Sequence, residues 1–514
     1  MPPARRGSER TPGPAAPARG ARLDRLAGVA AAALGLLVFS WRLATPSPWR
    51  DEAVTIAVAS RSYREIWELV QTVDLVHAPF YLLAHALFGR DVDITEVRGI
   101  SVVAAALTGP LLYGTARRAA GGGRTGRLAG ASAALLWVSM PFVSRYAQEA
   151  RPYAVAALLV TASTYLLLRA STGAARSPRA ARGWWLAYAL SLPAIVATNT
   201  VALLVVLGHA GWVLTGPARH RRPGVLAAAA GGLLCLPLLW AQSTQQAQVA
   251  FLLPPEPAEL LEHATFALGS PAGAVVAGVA AVVAVAVARA RRLVLLGVLW
   301  GVVPVPLLWA VSQVRPFWTT RYLVFVAPGT CLLLAAVATV AVPVAWRGRR
   351  RLAHLPVVAA GLLVALMAGT GLPMQFVFRS PVIGHGENMR ATAAYVAREK
   401  QPGDAVLFLP DGDYRYRVIN QLYPAAFAGV RDVALARSAA ESATLVGIER
   451  SPDDLTAAMA GVRRVWVIGG PGPVVTASAG DKRKAELLAD GYRLVSAHDE
   501  RAFSVRLYVA LPPG

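Results

Sequence analysis

The sequence predicts a polytopic α-helical membrane protein that ends in a small extracytoplasmic α/β domain. Three observations predict it: an apolar composition, long apolar runs, and arginine clusters between those runs. Of the 514 residues, 55% are hydrophobic and only 16% are charged, whereas a typical globular protein has about 25% charged residues. Such a chain lacks the polar residues to cover a water-facing surface, which excludes a soluble enzyme, a disordered protein and a fibrous protein.

The N-terminal segment divides into a polar tail and an apolar run. Residues 1–22 are rich in Pro, Gly and Arg and predict a disordered basic tail. The apolar run 26–41 follows, either as a signal peptide or as an uncleaved first span. We favour the uncleaved span because no small-x-small cleavage site follows it.

Ten further apolar runs have roughly the length that a helix needs to cross a bilayer. Together with the first run they predict about eleven spans, although 184–215 is readable as one long helix or as two short ones. These ten runs are 98–116, 128–144, 151–169, 184–198, 199–215, 224–241, 271–288, 293–311, 321–345 and 352–374. The two cysteines, Cys235 and Cys331, fall within such runs, so a structural disulfide is not expected.

The positive charge predicts the orientation of the chain in the plasma membrane. The net charge is +22, and much of the excess lies in clusters between spans rather than in a patch that would indicate a nucleic-acid partner. With the N-terminus in the cytoplasm, six consecutive cytoplasmic segments obey the positive-inside rule. The interior clusters lie at 117–127, 176–182, 219–222, 289–292 and 347–351. This alternation leaves the loop 43–97, the loop 242–270 and the tail 376–514 outside.

The tail 376–514 has a different pattern from the transmembrane part, 23–375. Strand-like runs alternate with helical patterns, which predicts a small α/β domain. The predicted strands are Ala405–Leu409, Val465–Ile468 and Tyr492–Leu511, and the predicted helices are Asn388–Glu399 and Lys482–Ala489. At the entry to this domain, His385 and Glu387 are predicted to be surface residues.

The first external loop contains the candidate catalytic residues. Asp51 and Glu52 follow the first span by about ten residues, so they lie where a lipid headgroup and a water-soluble hydroxyl can meet. A partly desolvated carboxylate at this position is a candidate general base. The alternative is that the two acids only begin the next amphipathic helix. Residues 62–70 predict an amphipathic helix with aromatic anchors, and a second short helix precedes Gly89.

Two arginine-containing segments also lie on the predicted outer side, where positive charge is unexpected. Arg145, Glu149 and Arg151 form the connection between the third and fourth spans. Arginine binds phosphate bidentately, and Glu149 could orient the arginines or bind a metal ion; the alternative is a local Arg–Glu pair that stiffens a hairpin. At the start of a later span, Arg321 and Tyr322 are readable as a phosphate contact or as interfacial anchors.

Taken in order, these motifs resemble the glycosyltransferase C superfamily over residues 24–345. The nearest likeness is to its bacterial branch, which is similar to protein O-mannosyltransferases and lipid A aminoarabinose transferases (glycosyltransferase family 39). The residues that carry the resemblance are Asp51-Glu52, His77-x-Pro79-x-Tyr81, Arg145 with Glu149, Arg151-Pro-Tyr153, and Arg321-Tyr322. Ala78 and Phe80 depart from the His-Pro-Pro-Leu-Tyr pattern of the branch, which affects the expected shape of that segment.

The resemblance implies a glycosyltransferase C fold and transfer of a sugar from a polyprenyl-phosphate carrier to an acceptor outside the membrane. It implies a catalytic base in the first loop, which falls on Asp51 with Glu52 beside it. Attack of an acceptor hydroxyl would invert the anomeric centre as polyprenyl phosphate leaves. Binding of donor sugar or phosphate is expected from His77, Tyr81, Arg145, Glu149, Arg151, Tyr153, Arg321 and Tyr322.

Several features of the reaction stay open from the sequence. Mannose is the first expectation for the sugar and arabinose the second, because the composition suggests a GC-rich genome. The acceptor is a cell-envelope glycan, a lipoglycan or a secreted protein. No cofactor is indicated and no metal-ligand spacing occurs, although a divalent cation is compatible with the chemistry.

Two other classes of protein are alternatives to a transferase. A transporter or lipid flippase places ionisable residues at the bilayer midplane, but here the spans carry few, with His209 the main exception and more readily explained as a hydrogen-bonded core residue. A non-catalytic scaffold paralogue is the third interpretation.

Overall fold

The computed structural model describes residues 15–172, 178–340, 354–383, 385–411, 413–473 and 476–512. Seventeen of the helices described precede the C-terminal domain. They are α1 (Ala15–Ser40), α2 (Arg50–Ala59), α3 (Tyr63–Val70), α4 (Ala78–Phe88), α5 (Ile94–Ala119), α6 (Gly123–Ser139), α7 (Pro141–Ala147), α8 (Tyr153–Ser171), α9 (Pro178–Thr198), α10 (Val206–Leu214), α11 (Ala218–Ser243), α12 (Ala258–Ala267), α13 (Pro271–Val287), α14 (Arg291–Gly301), α15 (Pro304–Ser312), α16 (Ala327–Ala335) and α17 (Leu355–Val377). Short 3₁₀ helices occur at Leu75–His77, Thr200–Val205, Gln246–Val249, Thr320–Val326 and Ala336–Thr339.

The helices agree with the predicted spans. Within the described ranges, seven helical segments are long and apolar enough to cross a membrane, and the number rises to nine when two bent pairs are each counted as one span. The bent pairs are α6 with α7 (64°) and α12 with α13 (90°). Helix α9 and the shorter apolar segment Thr200–Leu214 match the remaining two predicted runs. The polytopic helical fold class is thus confirmed.

Helix α1 begins earlier than the sequence predicts. It begins at Ala15, so the last third of the predicted disordered tail, 1–22, is helical. Alanine and arginine have high helix propensity, and this outweighs the Pro and Gly content of residues 15–22. Residues 1–14, Arg176 and the arginine cluster 347–351 lie outside the described residues.

The loop 43–97, predicted to lie outside the membrane, contains three short helices, α2 to α4. Helix α3 is the predicted amphipathic helix: Ile66 and Leu69 are buried while Trp67 is 64% exposed. A capping box between Ser62 and Glu65 fixes its start, because each side chain bonds the other residue's backbone N–H. Helix α2 carries the two candidate acids in its first turn.

The C-terminal domain contains the predicted α/β elements. A five-stranded sheet has the order β2-β1-β5-β7-β6, in which β1, β2 and β5 are parallel and β7 and β6 are antiparallel. The predicted run 492–511 is a hairpin of two strands. The elements are α18 (Met389–Glu399), β1 (Ala405–Leu409), α19 (Tyr414–Leu422), β2 (Arg431–Asp432), β3 (Leu435–Arg437), β4 (Ile448–Glu449), α20 (Pro452–Met459), β5 (Arg464–Gly469), α21 (Ala479–Gly491), β6 (Tyr492–Glu500) and β7 (Phe503–Ala510).

The C-terminal domain shares one hydrophobic core with the first loop. Val54 and Val58 of α2 belong to the same buried cluster as Phe408 of β1 and Ile419 of α19. Each of these side chains is at most 3% exposed, and burying such a side chain stabilises the folded state by about 1.5–3 kcal/mol. The sheet is therefore packed directly on the helix that carries the candidate acids.

The core between the long helices contains few ionisable groups. His209 is buried and hydrogen-bonded, with Nε2 2.9 Å from the Thr164 hydroxyl and Nδ1 3.2 Å from the Tyr188 hydroxyl. This confirms the sequence interpretation of His209 as a satisfied core residue. Gly301 of α14 and Gly329 of α16 allow close backbone approach, since a Cβ on Gly301 would lie 2.3 Å from the Thr330 nitrogen.

Candidate active site

Asp51 lies in the first turn of α2 with its side chain 12% exposed. One carboxylate oxygen, Oδ1, accepts a hydrogen bond of 2.9 Å from the hydroxyl of Tyr414, which begins helix α19. The other oxygen, Oδ2, lies 3.9 Å from a guanidinium nitrogen of Arg151. Burial alone raises the pKa of Asp51, but Arg151, Arg321 and the Tyr414 hydroxyl together hold it below its usual value. Asp51 is therefore ionised at neutral pH.

Arg151 joins the Asp51 carboxylate to His77. Its Nη1 donates to the Asp51 carbonyl and to Thr55 Oγ1, both at 3.3 Å. Its Nη2 lies 2.6 Å from His77 Nε2. Because a guanidinium only donates, Nε2 accepts and the imidazole proton resides on Nδ1.

His77 presents this proton in a buried environment. Burial and the charges of Arg151 and Arg321 hold the pKa of His77 well below its usual value, so the ring is neutral. The Nδ1 atom is buried and has no hydrogen-bond partner among the residues that the structure describes. An unsatisfied buried donor costs about 1–3 kcal/mol, and a ligand oxygen could satisfy it.

A cavity of about 140 Å³ borders His77 and contains space for a few polar groups. Tyr153 at the start of α8 and Tyr322 contribute aromatic walls, and the 3₁₀ segment near Asn199 and the end of α11 contribute amides. The lining residues are Val76, His77, Tyr153, Thr198, Asn199, Thr200, Val201, Gln242, Gln245, Gln246, Gln248, Val249, Phe317 and Tyr322. This mixture of aromatic faces and amides is suited to a polar ligand with an apolar face.

Arg321 lies against aromatic rings beside this cavity. Its guanidinium carbon is 5.5 Å from the centre of the Trp49 ring and 5.7 Å from that of Tyr322. The Nε atom is buried and has no hydrogen-bond partner. Arg321 and Arg151 thus place two cations around one carboxylate, which leaves a local excess of positive charge.

Glu52 is engaged differently from Asp51. Its two carboxylate oxygens accept from Arg98 Nε at 2.8 Å and Arg98 Nη2 at 2.7 Å, and Oε1 also accepts from the Ala150 N–H at 2.8 Å. Both side chains of the pair are at most 2% exposed. Glu52 therefore connects α2 to α5 and to the loop before α8, and both of its carboxylate oxygens are already hydrogen-bonded.

Arg145 and Glu149 form the local pair that the sequence allowed, at 3.2 Å. The pair also reaches the chain after α17, because Arg145 Nη1 donates to the Ile383 carbonyl at 3.3 Å and Glu149 lies 3.5 Å from His385 Nε2. Burial raises the pKa of Glu149, but Arg145 and His385 outweigh it and the pKa is lowered. A bend of 64° before Pro141 separates α6 from α7, the helix that carries Arg145.

Glu387 is buried, so its predicted surface position is wrong. It is 1% exposed and lies 3.1 Å from Arg50 Nε, and it accepts the Arg50 backbone N–H at 2.8 Å. Its neighbour His385 is 27% exposed and stacks on Trp49 with ring centres 3.7 Å apart. The prediction fails because the chain after α17 packs under α2, a tertiary contact that no local pattern reports.

Tyr81 of α4 is fully buried and donates to Asp74 Oδ2 at 2.6 Å. Burial raises the pKa of Asp74, although Arg151 and Tyr81 oppose the rise. The pKa values of the two neighbouring acids, Asp51 and Asp74, are thus shifted in opposite directions.

The predicted residues form one connected centre with an adjoining ion-pair cluster. Asp51, Arg151, His77, Arg321, Tyr153 and Tyr322 surround the charged part and its cavity, while Glu52 and the Arg145–Glu149 pair lie beside it. Sequence reasoning missed Tyr414 and Arg98. The only signal for Tyr414 is its position just after β1, because ligands of α/β domains gather at the carboxyl ends of parallel strands.

Metal-binding groups are sparse in the part of the chain that the structure describes. No group of three or more His, Cys, Asp or Glu side chains there is arranged to hold a metal ion. We therefore derive no step through a metal.

Comparison with known proteins finds similarity in structure. No protein-family model matches the sequence, and no curated protein matches it. Two crystal structures of ArnT from Cupriavidus metallidurans align with 93% of this chain and 97% of ArnT: the apo state at a TM-score of 0.58 and 16% identity, and the state bound to undecaprenyl phosphate at 0.55 and 14%. The arabinofuranosyltransferase AftD from Mycobacteria aligns with 95% of this chain and 40% of its own length, at a TM-score of 0.49 and 15% identity.

At these identities the likeness concerns the fold. It extends over nearly the whole of both chains in the ArnT alignments, and includes the long helices, the first loop and the C-terminal domain. The chain therefore has the same fold as these ArnT structures, in agreement with the polytopic helical fold that the resemblance of its motifs implies.

Proposed function

We propose that this protein is a membrane glycosyltransferase that moves a sugar from a polyprenyl-phosphate carrier to an acceptor hydroxyl outside the cytoplasm. The observation that carries the proposal is the ionised carboxylate of Asp51 held beside the two arginines Arg151 and Arg321 and a neutral histidine. The two arginines at this site suit a phosphate leaving group, whose negative charge they can stabilise. The fold supports the carrier class, because the similar ArnT structure is bound to undecaprenyl phosphate.

In the proposed step, the acceptor oxygen bonds to the anomeric carbon as the bond from that carbon to the phosphate oxygen breaks. Asp51 takes the hydroxyl proton, the centre inverts, and polyprenyl phosphate leaves with one more negative charge. Arg151 and Arg321 stabilise that charge, the kind of electrostatic stabilisation that is often the largest catalytic term. The Nδ1–H of His77 donates to a phosphate or sugar oxygen.

The roles of the neighbouring residues follow from their contacts. Glu52 positions α2 through Arg98, so Asp51 is the reacting carboxylate of the adjacent pair. Tyr153 and Tyr322 shape the cavity, and Tyr81 holds Asp74. Arg145 and Glu149 fix the segment around residue 385, and we place the N-terminus in the cytoplasm and the C-terminal domain outside.

The test is sugar transfer by membranes that contain the full chain, supplied with radiolabelled polyprenyl-phosphate mannose or polyprenyl-phosphate arabinose. We propose mannose as the donor sugar. Asp51→Asn should lower transfer by about 100-fold or more, since removal of a general base typically costs 10²–10⁴. Glu68→Gln, in an exposed ion pair of α3, is the matched control and should transfer normally.

Asp74→Asn distinguishes the two acids of opposite pKa shift. If Asp51 is the base, Asp74→Asn retains more transfer than Asp51→Asn at equal amounts of folded protein. Equal transfer by Asp51→Asn and wild type would refute the role of Asp51. Transfer from the arabinose donor alone would refute mannose.

A further inference from the structure

A second large cavity lies between helices α1, α5 and α8, far from Asp51. Its volume is about 1080 Å³. Apolar and small residues form much of its wall, and arginines from all three helices line it as well. The wall includes Gly28, Val29, Ala32, Leu107, Pro110, Leu111 and Leu158, and the arginines are Arg25, Arg117, Arg118 and Arg169.

The cavity is amphipathic along the helix axes. Arg117 and Arg118 occupy the last turn of α5, and Arg169 occupies the last turn of α8. Leu107 and Leu158 lie about ten residues earlier on these helices, which at 1.5 Å per residue is about 15 Å deeper between the helices. Charge is thus concentrated at one end of the cavity and apolar surface extends from it.

This cavity lies at the opposite end of the spans from the candidate active site. Arg98, which binds Glu52, and Arg118 are both on α5 and are separated by twenty residues. That separation corresponds to about 30 Å of helix, the thickness of the hydrocarbon core. A ligand here is therefore different from the sugar donor and acceptor at Asp51.

The arginines of this cavity exceed its carboxylates. Among the described lining residues the only carboxylate is Asp24, and Arg117 at 2.8 Å, Arg127 at 3.1 Å and Tyr113 at 2.9 Å already bind it. No ion pair within the described chain engages Arg118 or Arg169. The cavity therefore carries uncompensated positive charge.

Arg118 and Arg169 are held by aromatic rings with hydrogen-bonding groups to spare. Arg118 lies 4.5 Å from the ring centre of Tyr165, whose side chain it also engages, and its Nη1 donates a hydrogen bond to the Gly114 carbonyl. Arg169 lies 4.6 Å from the ring centre of Trp184, and its buried Nε has no partner. Stacking uses the face of a guanidinium and leaves N–H groups at its edge.

We propose that this cavity binds an anionic glycerophospholipid, with the headgroup phosphate on Arg118 and Arg169 and an acyl chain along the apolar wall. Arginine matches phosphate geometry through paired N–H groups, and basic pockets between membrane helices suit anionic headgroups. Arginines that only orient the chain need no cavity and no ring contacts. These two arginines have both.

The test is native mass spectrometry of the full chain in detergent, titrated with phosphatidylglycerol or phosphatidylcholine. Wild type should bind phosphatidylglycerol about 30-fold more tightly, because each arginine contributes about 1 kcal/mol toward a net anionic headgroup, whereas choline neutralises the phosphate charge of phosphatidylcholine. The double variant Arg118→Gln/Arg169→Gln should lose that preference. Arg222→Gln, an exposed arginine of α11 outside the cavity, should keep it.

A charge-conserving variant and a competition experiment serve as two further controls. The variant Arg118→Lys/Arg169→Lys keeps both charges and should retain part of the preference, even if the glutamine variant folds poorly. Soluble glycerol phosphate, added at the same concentration as phosphatidylglycerol, should not displace the lipid. Equal binding of the two lipids by wild type, a preference unchanged in the glutamine variant, or full competition by glycerol phosphate would overturn the lipid site.

Discussion

At the scale of single residues, three neighbouring acids are distinguished by their partners. Asp51 faces the cations Arg151 and Arg321 and the Tyr414 hydroxyl. Both carboxylate oxygens of Glu52 accept hydrogen bonds from Arg98. Asp74 is buried and accepts a hydrogen bond from Tyr81. Only Asp51 combines a stable negative charge with a position beside the unpaired donor of His77. The reactivity of Asp51 therefore depends on the neighbouring groups that keep its carboxylate ionised.

Removal of the Tyr414 hydroxyl should shift the pH dependence of transfer. The hydroxyl bonds Asp51 Oδ1 at 2.9 Å and helps to lower the pKa of Asp51. A hydrogen bond to a charged group contributes about 1.5–3 kcal/mol. In Tyr414→Phe, the pKa of Asp51 should rise, and the acidic limb of the pH–rate profile should move to higher pH.

This prediction separates a positioning role from a structural one. A variant that only unfolds would lose activity equally at every pH, whereas loss of the bond affects the acidic limb. Tyr416→Phe is the matched control on the same helix, because no described hydrogen bond links Tyr416 to the first loop. An unchanged profile in Tyr414→Phe would show that this hydroxyl does not tune Asp51.

Residue-level prediction from sequence depends on recognisable motifs. Asp51, His77, Arg151 and Arg321 are predicted together because they follow a known order near predicted span ends, and the structure places them near one another. Tyr414 is 363 positions from Asp51, and no local pattern reports such a contact. Glu387 reads as a surface residue because it is polar and lies near a domain entry.

At the scale of secondary-structure elements, α2 is the element on which the site depends. It is held by a buried ion pair to α5 and by apolar contacts to the C-terminal domain. Prediction from sequence located the long helices and most strands, because apolar length and strand patterns are local. It missed α2 as a separate buried helix, since its burial comes from the distant sheet.

Breaking the buried pair should destabilise the chain strongly. Glu52→Gln leaves the Arg98 charge uncompensated in a dry environment, and such a loss costs about 3–5 kcal/mol. Arg64→Gln breaks an exposed pair on α3 and should cost less than about 1 kcal/mol. Thermal unfolding in detergent measures both, and similar midpoints for the two variants would contradict the structural role of Glu52.

At the scale of the whole molecule, the C-terminal domain and the membrane part act as one unit around α2. The chain that leaves α17 passes Glu387, which binds Arg50 at the start of α2. It then enters the C-terminal domain, in which Tyr414 of α19 reaches Asp51. Sequence predicted the domain but not this contact surface, because the partners are over 300 residues apart. Glu387 is a titratable residue at this contact surface, so the pH dependence of stability tests the contact.

The stability of the whole molecule should fall as pH rises to 8, through Glu387. Burial raises its pKa from 4.5 to about 7, against the opposing effects of Arg50 and Arg415 and with a small further rise from Asp51. A raised folded-state pKa contributes stability that is complete below pH 4.5 and is lost as pH rises through 7. The loss approaches about 3 kcal/mol at pH 8. Glu387→Gln stays neutral, so its thermal midpoint in detergent should fall less than that of wild type between pH 5 and 8, whereas the exposed control Glu399→Gln should follow wild type. Parallel curves for wild type and Glu387→Gln would mean that ionisation of this carboxyl does not weaken the contact between the two parts of the chain.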